Sequence, residues 1–283
     1  GPLDMSLEEA AFGIFRVASA QITDLIHEIT VERGLDPRDH VLHAFGGSCP
    51  ILASSFAEEL NVKRIIVPYT ASVNCAFGLV SADIVHEYSV TKTLPSDAEP
   101  EVINELYAPL MERAVAQLKS EGFEKSEIML DWSVDLRYAR QVHEVTTSVN
   151  GKIPMDGRSL STLIDDFETL YERKYGKGSA YREAGVEMTM FRLTASGKLE
   201  RPEFKPLPLE SADATGALIG RRPIFVDAQD GMVEADIYDF NKFKPGNRIS
   251  GPAVIHTPIT TIVVQDAQEA HMDELRNIII NFG

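Results

Sequence analysis

Val41-Leu42-His43-Ala44-Phe45-Gly46-Gly47-Ser48-Cys49-Pro50 is the stretch whose reading decides the fold. It reads as a short apolar strand, a glycine turn, and a helix opened by proline. Gly46 and Gly47 lack a Cβ, so positive φ is allowed and a ligand or second backbone can approach closely. Pro50 suits the first helical turn, where its missing N–H costs nothing, and Ser48 or Cys49 falls at the cap. The free N–H groups of that turn suit phosphate or ribose oxygens. The same pattern also serves as a plain tight connection between strand and helix, so the motif alone leaves both readings open.

Upstream, Ser6-Leu-Glu-Glu9 is a capping box. Apolar residues at Leu7, Ala11, Ile14, Val17, Ala18, Ile22, Leu25, Ile26 and Ile29 then recur at helical spacing, predicting a helix over 6–33 that ends at Gly34. Downstream, 50–61 predicts a helix with Leu52, Phe56, Ala57 and Leu60 on one face. Residues 63–68 predict a buried strand, and Asn74 starts a third helix. Strand–helix–strand–helix order implies a parallel pair in an α/β layer.

The character changes after His86. The polar, proline-bearing stretch 92–100 reads as a linker and 101–120 as a helix. Ile128 to Val149 reads as a long strand or hairpin, with Trp132, Val134, Leu136, Tyr138 and Val142 on one face and Arg137, Gln141 and His143 on the other. A helix at 160–176 and a strand at 187–195 follow. A second linker covers 202–208 and 211–217. Short strands are then expected at 223–227, 232–238, 253–255, 260–264 and 277–280, separated by turns at Asp230-Gly231, Pro245-Gly246 and Gly251-Pro252. Residues 1–5 read as a scar of tag removal.

The formal charge of −16, from 27 basic and 43 acidic residues, argues against a nucleic-acid partner or an anionic membrane surface, both of which need basic faces. No apolar run reaches the length of a membrane span, and the two cysteines, Cys49 and Cys75, form no disulfide framework; the expected compartment is the cytoplasm. The seven histidines show no i, i+4 pairing and there is no C-x-x-C, so no metal site is expected. Arg137, Gln141 and His143 read either as a polar site or as a solvated sheet face. Cys49 reads either as a nucleophile activated by helix amides or as a small buried turn residue.

Glu9-Ala-Ala-Phe-Gly-Ile14, Glu32-Arg-Gly-Leu-Asp-Pro-Arg38, Ala44-Phe-Gly-Gly47, Ala57-Glu-Glu-Leu60, Ala76-Phe-Gly-Leu79 and Ala82-Asp83 resemble, in order, the hydantoinase A/oxoprolinase family. The resemblance resumes at Leu136-Arg-Tyr138, Gln141, Glu144-Val-Thr146, Tyr171 to Gly176 and Gly251-Pro-Ala-Val-Ile255. Cys49, Ile51, Leu52 and Arg140 depart from its usual pattern.

The resemblance implies an α/β lobe of the actin/Hsp70 (ribonuclease H-like) ATPase type at 6–91. An α+β, strand-rich C-terminal domain at 100–283 follows, with a subdivision near 202–222. It implies ATP with Mg²⁺ as cofactor, Gly46, Gly47 and Ser48 at the adenosine, and phosphorylation of substrate or bicarbonate by ATP. The parent is then an ATP-dependent cyclic-amide hydrolase, or a carboxylase of acetone or acetophenone, completed by a hydantoinase B-type partner subunit. The family's phosphate-binding loops are not in these residues. The chain therefore reads as the C-terminal part of a longer subunit, with no assigned catalytic residue and negligible ATP hydrolysis alone. The alternative is a non-catalytic docking module in a hetero-oligomer.

Overall fold

A computed structural model describes residues 5–151, 153–227 and 231–282. The chain forms two compact units, one from residues 1–80 and 202–283 and the other from 81–201. The expected division in chain order therefore has a different counterpart here: at Pro202 the chain returns to the unit in which it began.

In the discontinuous unit, α1 (Leu7–Glu32) starts at the expected capping box. The Glu9 amide donates to the Ser6 hydroxyl, and the Ser6 amide to the Glu9 carboxylate. It stops as expected too: Gly34 sits at φ +67° and the Leu35 N–H reaches back to the Thr30 carbonyl, a Schellman-type closure. Next come β1 (Leu42–His43), α2 (Cys49–Glu59), β2 (Arg64–Val67) and α3 (Asn74–Ser81). β1 and β2 pair in parallel, as the element order required.

The returning segment supplies β7 to β13, at Leu218–Asp227, Gly231–Asp239, Arg248–Ser250, Ala253–His256, Thr261–Val264, Gln268–Met272 and Ile278–Phe282. β13 lies antiparallel to β2 and extends the first sheet to the order β1-β2-β13-β12-β9. The other four strands form a second sheet, β11-β10-β8-β7. α2 bridges the two: Phe56, Ala57 and Leu60 share one core with Ile65, Val67, Ile278 and Ile280 and with Ile255, Ile262 and Val264. The buried Ser54 hydroxyl donates to the Val263 carbonyl at 2.8 Å. β9 and β12 were not expected from sequence, and Asp230 of the expected Asp230-Gly231 turn lies outside the described residues.

The second unit is a four-stranded antiparallel sheet, β3-β6-β4-β5, formed by Ile84–Pro95, Val186–Gly197, Ile128–Tyr138 and Val145–Ser148. One face is covered by α4 (Pro100–Ser120) and α5 (Gly157–Tyr175). The anticipated hairpin is thus β4–β5. Trp132, Val134, Leu136 and Tyr138 are buried as their alternation predicts. Val142 is 83% exposed, because the chain has left the strand after Tyr138 and turns at Arg140, where φ is +70°. Residues 84–95, in part expected as linker, form the edge strand β3. Phe167 is fully buried against Tyr138, and burial of such a ring contributes about 2–3 kcal/mol.

A glycine turn beside a small cavity

Parallel pairing with β2 carries the chain to Ala44, which is fully buried and whose amide donates to the Ile66 carbonyl at 2.9 Å. The chain then turns at Gly46, where φ is +92°, a conformation that explains glycine at this position. Its amide donates to the Ala71 carbonyl at 2.7 Å, which ties the turn to the segment following β2. A Cβ built on Gly46 or Gly47 would meet no atom within 4 Å, so no second backbone explains the pair. The Gly47 carbonyl accepts from the Thr260 hydroxyl at 2.7 Å. Ser48 occupies the cap position of α2, but its hydroxyl makes no capping bond.

Cys49 is the first helical residue, with Pro50 buried beside it. Burial pushes the Cys49 thiol above its ordinary pKa, and a backbone hydrogen bond at Phe45 offsets only part of this. That environment fits the small buried turn residue and opposes a nucleophile, which requires a depressed pKa.

Next to this turn is a cavity of about 230 Å³, lined by Val67 to Val73, Phe240, Asn241, Thr257 to Thr260 and Ile262. Two lining residues, Ala71 and Thr260, are those that hold the glycine turn, so loop and cavity share one boundary. Its volume is below the roughly 300–1,000 Å³ of a pocket for a whole drug-sized ligand. It suits one flat ring, with the rest of a ligand lying over the open glycine turn and the start of α2. The open space at both glycines leaves room for a nucleoside, while in the first turn of α2 Pro50 has no N–H and the Ile51 N–H donates to the Ser48 carbonyl at 3.1 Å. Among the described residues no group of three or more His, Cys, Asp or Glu side chains converges as metal ligands would.

The sequence pointed to Gly46, Gly47 and Ser48, and the structure places all three at one turn. It offered no local signal for Thr260, which is 213 residues away from its partner. Arg137 and Gln141 each have a partner outside the trio of Arg137, Gln141 and His143. Arg137 donates to Glu187 at 3.0 Å across β4 and β6, with Glu144 at 3.8 Å. Gln141 accepts from the Tyr171 hydroxyl at 3.0 Å, and His143 is exposed. Arg137 lies on the interior strand β4, and Gln141 and His143 on the exposed segment between β4 and β5.

The comparisons agree along the chain. Residues 1–88 match the family model described as hydantoinase/oxoprolinase, and residues 94–281 that described as hydantoinase/oxoprolinase C-terminal domain. The caprolactamase subunit alpha of Pseudomonas jessenii is 30% identical over 280 residues, covering 96% of this chain and 39% of that protein. The acetone carboxylase beta subunit of Xanthobacter autotrophicus is 25% identical over 282 residues, covering 96% of this chain and 39% of its own length.

Two solved structures share the fold. A nucleotide-free acetone carboxylase superposes with a TM-score of 0.85 at 24% identity, covering 99% of this chain and 41% of that one. The ATP-dependent caprolactamase from Pseudomonas jessenii gives 0.78 at 27% identity, covering 100% of this chain and 41% of that one. The chain thus spans about two fifths of the relatives it matches. With both family matches and a similarity that runs along 96% of this chain in agreement, the chain belongs to the hydantoinase/oxoprolinase family.

Proposed function

We propose that this chain is the C-terminal part of a subunit of an ATP-dependent ketone carboxylase or cyclic-amide hydrolase, and that it forms the adenosine side of the nucleotide site. The observation that carries the reading is the open Gly46-Gly47 turn at the end of a parallel strand, bordering a ring-sized cavity and the start of α2. Gly46, Gly47 and Ser48 hold the nucleoside, within a lobe of the actin/Hsp70 type. Bound ATP supplies a phosphoryl group that activates the carbonyl substrate or bicarbonate. The residues here bind and orient; the groups that stabilise phosphoryl transfer and hold Mg²⁺ belong to the rest of the subunit, and a hydantoinase B-type partner completes the reaction. Relatives named as alpha, beta and gamma subunits support such an assembly.

A docking module is the second reading, favoured by a specific observation. α1 leaves Leu7 and Ile14 exposed at 81% and 74%, and none of the α3 residues is buried. Such stripes serve as interaction surfaces when a further chain covers them.

Titration calorimetry with adenosine and with ATP, on wild type and Gly47→Val, separates the two. The nucleotide reading expects both ligands to bind wild type independently of Mg²⁺, a loss of at least about tenfold in the variant, and negligible ATP hydrolysis by either. Equal affinity in wild type and Gly47→Val removes the adenosine assignment and leaves docking.

A further inference from the structure

The turn between β10 and β11 is braced before it reaches the glycine loop. The Thr257 amide and hydroxyl both donate to the Thr260 carbonyl, at 3.0 and 2.8 Å. The Thr260 amide donates back to the Thr257 hydroxyl oxygen at 2.8 Å. Pro258 restricts the backbone between them. All four residues of this turn line the cavity. Ile259 is exposed, although it is large and apolar. Thr260 donates its hydroxyl hydrogen to the Gly47 carbonyl at 2.7 Å.

That bond constrains more than one oxygen. In a trans peptide the carbonyl and the following N–H point in opposite directions. Holding the Gly47 carbonyl therefore sets the direction of the Ser48 N–H at the start of α2. The other end of the glycine pair is held by the Gly46 amide on the Ala71 carbonyl. Gly47 has no side chain to fix its own peptide and would otherwise sample many orientations.

We infer that the β10–β11 turn is the positioning element of the nucleotide site, with Thr260 orienting the Gly47–Ser48 peptide and Ile259 providing the apolar contact for the base. This rests on the nucleotide reading above. Thr260 is a positioning residue, acting through Gly47. The Ile259 side chain carries no hydrogen-bonding group, so it adds affinity without choosing between purines.

The test titrates adenosine and inosine into this chain as wild type, Gly47→Val, Thr260→Val, Thr260→Ser and Ile259→Ala, with a thermal melt of each. Thr260→Val should weaken adenosine about fivefold, the effect of one neutral hydrogen bond, with its melting temperature close to wild type. Thr260→Ser, which keeps the hydroxyl, should restore affinity; a merely structural role would not separate Ser from Val in this way. Ile259→Ala should weaken adenosine and inosine by the same factor. Unchanged adenosine affinity in Thr260→Val, while Gly47→Val weakens it, overturns the role of the turn and leaves the nucleotide reading standing. No adenosine binding by wild type, or no effect of Gly47→Val, overturns both.

Discussion

His271 shows how single residues set the behaviour of this chain. It lies on β12 with Arg248 as its cross-strand partner on β9 and Ile279 on β13. Burial first, then the charge of Arg248, hold its imidazole below the ordinary pKa; Asp273 pulls the other way, by more than the smaller contribution of Arg64. A base whose folded pKa is depressed stabilises the fold above the unfolded value of about 6.5, and that contribution is lost as pH falls below it. The carboxylates whose pKa is lowered, Asp36, Asp83, Asp156, Asp213 and Glu121, act in a separate and more acidic window. The melting temperature should therefore fall between pH 7 and pH 5.5, and His271→Gln should flatten that slope. An unchanged slope in the variant refutes the attribution to His271. Residue-scale legibility was uneven for the same reason. Gly46 could be read from sequence because a positive φ restricts the choice of residue locally. His271 and Thr260 owe their surroundings to strands far away in the chain.

Elements differ in how much of their environment is written in their own periodicity. α2 and α4 bury the faces their spacing predicts, because each packs on strands: α2 between the two sheets of its unit, α4 on one face of the four-stranded antiparallel sheet. α1 has an equally clear stripe, yet only its Ile22 and Ile26 side reaches the core. Periodicity states which face is apolar and not what covers it. β3 was read in part as linker because an edge strand with one solvated face carries many polar residues. β9 and β12, three and five residues long, are too short for a periodic signal. One clamp between elements gives a direct test. The Asn104 side chain on α4 accepts from the Met155 amide at 2.7 Å and donates to the Met155 carbonyl at 2.9 Å, holding the chain just before α5. Asn104→Ala leaves two half-buried backbone groups without partners and should lower stability by roughly 1–3 kcal/mol in urea denaturation. An effect below about 0.5 kcal/mol, the range of neutral surface changes, would show that the clamp is dispensable.

At the scale of the molecule, the unit around the glycine turn is assembled from both ends of the chain. Ile278 to Asn281 pair with Arg64 to Val67, and Ile65 and Ile280 are fully buried. The sequence marked the strands on either side but not their pairing, since nothing local records a partner some two hundred residues away. Removing residues 278–283 should expose amides of β2 and β12 to hydrogen exchange while β4 and β6, in the other unit with its own core, stay protected. Loss of protection in all four strands would show that the units unfold together. The pairing also sets an order of events during synthesis. β2 leaves the ribosome long before β13 exists, and at ~5–20 residues per second the wait is on the order of 10–40 s. Through that interval the apolar edge of β2 has no strand beside it, while residues 81–201 already have all their own partners. Residues 81–201 can therefore complete their fold while β2 still waits for β13.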